Sequence, residues 1–268
     1  MKTAVRESDP AAPDLPPVES KSADLPSRKE DHVTHHRARL SLAALLAVAL
    51  LTPRLARASS EVADTERITA SGDVLKELLD SPSGISHDLL NKAYCVIILP
   101  SVKKGGFIVA AQYGRGIMTC RSGEDFTGAW SAPIMMQSSG GSVGFQIGGQ
   151  ATDFVILVMN DKGARAVMNG KAKLGSDASV AAGPVGRTAE ASTNASLGAE
   201  MLSYSRSQGV FAGISLSGTS LGPDNNANEK IYGKSISGPE IFHGSVQPPA
   251  EASNLLATLK ATSPQRSK

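Results

Sequence analysis

Tyr94-Cys-Val-Ile-Ile-Leu-Pro-Ser-Val-Lys-Lys-Gly-Gly-Phe-Ile-Val-Ala-Ala-Gln-Tyr-Gly-Arg-Gly-Ile-Met-Thr-Cys-Arg121 is the stretch on which the fold turns. Its opening run, Cys95 to Leu99, is continuously apolar and stopped by Pro100, as in a short strand. Residues 106–112 and 115–121 follow as two further strand-like runs, with glycines in turn positions at Lys104-Gly105 and at Gly114. The pattern predicts three short strands in a meander. Cys95 then opens the first strand and Cys120 closes the third, at opposite ends of the sheet. A disulfide needs Cα atoms within about 7 Å, so the two cysteines are expected to stay unpaired.

Downstream, strand patterns recur near 133–138, 142–147, 153–159, 178–182, 199–205 and 210–217. Glycines inside these runs predict a curved or tightly packed sheet where backbones approach closely. A helix is expected at 162–168, entered through Asn160 or Asp161 and closed by Gly170, with a helical turn at 224–232. Residues 249–259 place Leu255, Leu256 and Leu259 on one helical face. Upstream, 59–80 reads as a helix: Ser60 can cap, Glu61 and Asp64 suit the first turn, and Val74, Leu75, Leu78 and Leu79 share a face. Pro82 and Gly84 end it, and a shorter helix follows from Ser86 to about Ala93. The apolar faces fit packing on the domain's own core; a membrane-surface role is the alternative. The fold class is α+β: a glycine-rich, mainly antiparallel curved sheet or barrel-like core, an N-terminal helical segment and short inserted helices.

The first quarter of the chain is different material. All 26 glycines lie at or after Gly72 and all aromatic residues at or after Tyr94, while five of the 15 prolines fall before position 27. Residues 1–36 hold almost nothing large and apolar and are expected to be disordered. Arg37-Ala-Arg39, the apolar run Leu40–Leu51 and Ala56-Arg57-Ala58 have the order of a secretory signal peptide at 37–58, cleaved after Ala58. Val33–Arg37 would itself serve as its basic start, so translation is expected to begin near Val33. The apolar run is short of the roughly 20 residues a helical membrane span needs. The expected organisation is an extension at 1–36, a leader at 37–58, a domain at 59–240 and a tail at 241–268, in a periplasmic or secreted protein peripheral to the membrane.

Nine of the 27 basic and seven of the 25 acidic residues lie in positions 1–58, leaving 18 of each in the remainder. That balance disfavours a nucleic-acid partner. His87 and His243 are far apart, with no Cys or carboxylate cluster at ligand spacing, so no metal and no cofactor is expected. Gly140-Gly141-Ser142-Val143-Gly144 matches the nucleophile elbow in letters, but strand-like sequence follows where that motif needs a helix. Ser101 and Lys104 have S-x-x-K spacing without the companion motifs. Lys103-Lys104-Gly105-Gly106 could form a turn whose amides and cations face a phosphate, or be a solvated hairpin turn. Trp130 is expected to pin its loop to the sheet.

The order of motifs resembles one family. Pro100-Ser-Val-Lys-Lys-Gly-Gly106, Gly114-Arg-Gly116 and Gly128-Ala-Trp-Ser-Ala-Pro133 are followed by Gly141-Ser-Val-Gly-Phe-Gln-Ile-Gly-Gly-Gln150 and Asp153. Leu174-Gly-Ser-Asp177, Gly183-Pro-Val-Gly186, Tyr204-Ser-Arg-Ser-Gln-Gly209, Phe211-Ala-Gly213 and Tyr232-Gly233 complete the series. Over roughly residues 60–235 the chain resembles the SYLF lipid-binding family, whose fungal members also carry the name actin-binding domain. The resemblance implies a non-enzymatic phospholipid-binding module that meets membrane through an amphipathic helix and basic residues. By position these are Arg67, Val74, Lys76 and Leu78 in the first helix, and Lys103, Lys104, Gly105 and Gly106. The helix is poor in basic residues, which weakens attraction to anionic lipid. Export would remove actin as a natural partner. An envelope protein-interaction module without lipid specificity is the alternative.

Overall fold

β1 (Cys95–Gly106) and β2 (Val109–Cys120) form one long antiparallel hairpin, not the first part of a three-strand meander. The computed structural model describes residues 63–266 except 107–108, 144–149, 171, 187–197, 208–209, 215, 245 and 265. The extension, the leader and residues 59–62 lie outside the described residues. So does the predicted strand segment 144–147.

The glycines read as turns serve another purpose. A Cβ on Gly116 would stand 1.9 Å from the Ile98 carbonyl oxygen, and one on Gly114 2.5 Å from Val102 Cγ2. Glycine here lets β2 press against an irregularity in β1, where the register shifts between Leu99 and Val102. Because both strands run twelve residues, Cys95 faces Cys120 across the hairpin. Their Cα atoms are 4.0 Å apart and the two are joined by a disulfide. The expectation of unpaired cysteines fails because it counted one strand too many.

Beyond the hairpin come β3 (Ile134–Val143), β4 (Gln150–Val158), β5 (Ala172–Lys173), β6 (Val180–Ala182), β7 (Met201–Ser207), β8 (Val210–Gly213) and β9 (Ser220–Pro223). The sheet order is β5-β9-β3-β2-β1-β4-β7-β6, with β8 also on β7, and among the described strand pairs only β6–β7 is parallel. The class is α+β, with a mixed, curled sheet. Gly140, Gly141 and Ser142 lie within β3 opposite Gln112, Ala111 and Ala110, which rules out an elbow at this serine.

Helices cover both faces of the sheet. α1 spans 63–80, α2 His87–Lys92, α3 Asp161–Met168, α4 Asn225–Tyr232, α5 Gly238–His243 and α6 Ser253–Thr262. Ser86, Asn160 and Asp224 cap α2, α3 and α4 by accepting from the backbone N–H of Leu89, Gly163 and Ala227. α3 ends on Asn169, one residue before the glycine expected to close it. Cys95, Ile97 and Leu99 join α3 and α5 in one core; Val96 and Ile98 join α1, α2 and α6 in the other. The unbroken apolar run is therefore a strand buried on both faces. The boundary expected at 240 falls inside α5, and Leu255 and Leu259 of α6 are wholly buried, so 241–262 belongs to the fold.

Trp130 is half-buried. Its indole N–H donates to the Ser263 carbonyl at 3.0 Å, and its ring lies 4.3 Å from the Arg121 guanidinium carbon. It ties the disulfide end of the hairpin to the end of α6. Arg121 is wholly buried, and burial first, with Arg266 nearby, pulls its pKa down to about 10.

Candidate functional site: a charged cleft between α1 and the hairpin

At the irregularity in β1, Ser101 takes a positive φ of 51° and its N–H donates to Asp153 Oδ1 at 2.8 Å. Past it, Val102 points into the α3-side core and Lys103 is exposed on the α1 side. Tyr113 is the register partner of Lys103, and Arg115 and Ile117 follow on the same face of β2. Ile117 packs beneath α1. Tyr113 is 51% exposed. Ala63, Glu66, Arg67 and Ala70, one stripe of α1, face these strand residues across a cleft of about 390 Å³. That volume lies in the ordinary range for small-ligand sites.

Behind the cleft lies a buried ion-pair chain. Asp64, fully buried, accepts from Arg67 through Oδ1 and faces Arg115 at 3.5 Å. Arg115 Nε donates to Asp224 Oδ2 at 2.8 Å, and its Nη2 bonds the same oxygen. Burial alone would lower the Arg115 pKa, but the hydrogen bond and charges of Asp224, with Asp64, raise it above the usual value. Both arginines are thus held in place and neutralised by carboxylates. The Lys103 and Glu66 side chains have no hydrogen-bond or ion-pair partner among the described residues.

The structure brings Lys103 and Arg67 together and separates the other predicted contact residues. Lys103 and Lys104 are neighbours in a strand and point to opposite faces, so they do not converge on one phosphate. Their backbones are paired with Tyr113 and Gln112 on one side and Ala151 and Gln150 on the other. The ladder therefore occupies the amides that a phosphate-binding turn would need. Gly105 and Gly106 continue the same strand, opposite Ala111 and Ala110. Val74 and Leu78 are packed in the core under α1, so the expected membrane-facing apolar stripe is spent on the fold. Lys76 pairs with Asp80, whose hydrogen bond and charge raise its pKa, and does not line the cleft.

Glu66, Tyr113, Arg115 and the carboxylates of Asp64 and Asp224 escaped the sequence reading. One signal was available: an arginine between two glycines, on the strand face that carries Ile117, demands a buried partner. Among the described residues no group of three or more His, Cys, Asp or Glu could hold a metal ion. A second cleft of about 470 Å³, on the far side of the Arg115–Asp224 pair, is lined by polar residues including Gln137, Asn169, Asn225 and Asn226.

Residues 139–262 match the family model described as "Ysc84: Las17-binding protein actin regulator", from within β3 to the end of α6. The cleft residues of α1, β1 and β2 precede that match. LAS seventeen-binding protein 3 of Saccharomyces cerevisiae is 32% identical over 205 residues, 75% of this chain and 44% of its own length. An SH3 domain-containing protein of Schizosaccharomyces pombe is 37% identical over 190 residues, 69% of this chain and 43% of its own. The human SH3 domain-containing YSC84-like protein 1 is 33% identical over 192 residues, 69% of this chain and 55% of its own. The chain thus spans about half the length of the relatives it matches. No solved structure matches it. The motif order from Pro100 to Gly233, the family model and these relatives agree: the chain carries a domain of the Ysc84, or SYLF, family.

Proposed function

We propose that this chain is a non-enzymatic phospholipid-binding module of a bacterial-type cell envelope, and that the cleft between α1 and the hairpin receives the lipid head group. One observation carries the reading: Arg67 and Lys103, two residues that the family resemblance ties to membrane contact, line one cleft of head-group size. Lys103 offers a charge that no carboxylate among the described residues occupies, while Asp64 and Asp224 hold Arg67 and Arg115 at the cleft wall. Contact is by this cleft, not by the apolar face of α1.

Export through the leader at 37–58 is part of the proposal. It is supported by the Cys95–Cys120 disulfide, which persists in oxidising compartments. The printed names of the relatives concern Las17 binding and, in the family description, actin regulation. They give no support to excluding actin, so a protein-interaction module is the second reading. Co-sedimentation with vesicles of phosphatidylcholine containing phosphatidylethanolamine or phosphatidylglycerol separates the two. Binding to at least one, reduced about fivefold by Lys103→Ala, is expected for a lipid module. No binding to any vesicle overturns it.

A further inference from the structure

We infer that the cleft selects a zwitterionic head group bearing a primary amine, of the phosphatidylethanolamine kind, over a purely anionic one. The inference rests on the cleft being the lipid site. Among the described residues its wall carries three cations, Arg67, Lys103 and Arg115, and one exposed anion, Glu66. Asp64 and Asp224 compensate the two arginines from behind. Among the described residues, what faces a ligand uncompensated is one positive group, Lys103, and one negative group, Glu66, on opposite walls. A phosphodiester with an ammonium tail presents one charge of each sign, and satisfies both. A purely anionic head group satisfies Lys103 and is repelled by Glu66.

Tyr113 adds the second part. Its ring is half-exposed and stands beside Lys103 in the ladder, at the mouth of the cleft. An ammonium lying between this ring and the Glu66 carboxylate gains a cation–π contact and charge-assisted hydrogen bonds. Quaternary ammonium groups are recognised by cages of several aromatic rings. Tyr113 is the one aromatic residue among the described residues lining the cleft, and Glu66 needs an N–H donor. Both favour ethanolamine over choline. The balance of 18 basic and 18 acidic residues after position 58 also supplies no net attraction to an anionic surface.

The test uses the whole chain at low salt, with phosphatidylcholine vesicles containing either phosphatidylethanolamine or the same fraction of phosphatidylglycerol. The wild type is expected to prefer the ethanolamine vesicles. Glu66→Gln is expected to lose about tenfold on them, the scale of one charge-assisted hydrogen bond, and to gain on phosphatidylglycerol. Lys103→Ala is expected to lose on both. Tyr113→Leu keeps an apolar strand residue and removes the π face, and is expected to weaken the ethanolamine vesicles alone. Thermal melts check that each exposed-site variant folds. Soluble glycerophosphoethanolamine is expected to compete only at large excess; binding it as tightly as vesicles would make the ligand a soluble zwitterion and sink the lipid assignment. Equal or stronger wild-type binding to phosphatidylglycerol, or a folded Glu66→Gln with unchanged preference, overturns the inference while leaving lipid binding intact. No binding to any vesicle overturns the proposed function as well.

Discussion

The two halves of the β1–β2 hairpin are built from the same pair of strands and do opposite things. From Cys95 to Leu99, against Ile117 to Cys120, the strands are buried on both faces, joined by a disulfide and packed under helices. Past the irregularity at Pro100–Ser101, the same strands carry an exposed lysine and a half-exposed tyrosine toward a cleft. Gly114 and Gly116 sit at the division, where a side chain would strike β1. The contrast shows how a continuous ladder can hold a candidate binding surface still: the rigid half sets the register, and the bulge turns the next side chains outward.

The largest expected effect comes from breaking the division itself. Gly116→Val places side-chain atoms where the Ile98 carbonyl stands, and is expected to cost more than about 3 kcal/mol, measured by urea unfolding. A cost under about 1 kcal/mol would mean that the strands are not pressed together there. Removing the disulfide with Cys95→Ala and Cys120→Ala is expected to cost about 3 kcal/mol, since a link across a separation of 25 residues constrains the unfolded chain. Thiol titration of the unfolded protein without reductant should find no free thiol in the wild type; two would refute the pairing.

Trp130→Ala is expected to cost about 2 kcal/mol, below the range for a fully buried tryptophan because the ring is half-buried. Protection of α6 amides in hydrogen exchange should fall with it, because its indole N–H anchors Ser263. Unchanged protection would show that Trp130 does not secure the terminal helix. At the distal half, Lys103→Ala is expected to change stability by less than about 0.5 kcal/mol while weakening vesicle binding. The binding difference should shrink with added salt, because exposed charges are screened within about 10 Å at 0.1 M. A large stability loss would place Lys103 in the rigid half and erase the contrast.

Local patterns carried much of the fold. Asn160 or Asp161 at the entry of α3 and the spacing of Val74, Leu75, Leu78 and Leu79 in α1 announced those helices, because capping and helical periodicity depend on residues within one or two turns. The short β5 and β9 were missed: two- and four-residue strands hold too few positions to show an alternation, and exist because neighbouring strands offer edges.

By itself the sequence determined an α+β chain with a continuous apolar strand at Cys95–Leu99, a helix ahead of it and the motif order of the SYLF family. Tertiary structure alone decided whether glycine meant a turn or a close approach, and therefore whether Cys95 meets Cys120. It also decided that Val74 and Leu78 serve the core, and that Lys103 stands with Arg67 while Lys104 turns away. These outcomes depend on register and on what packs opposite each face. Both are set by partners tens of residues distant, as Arg115 is by Asp224, and no local spacing records them.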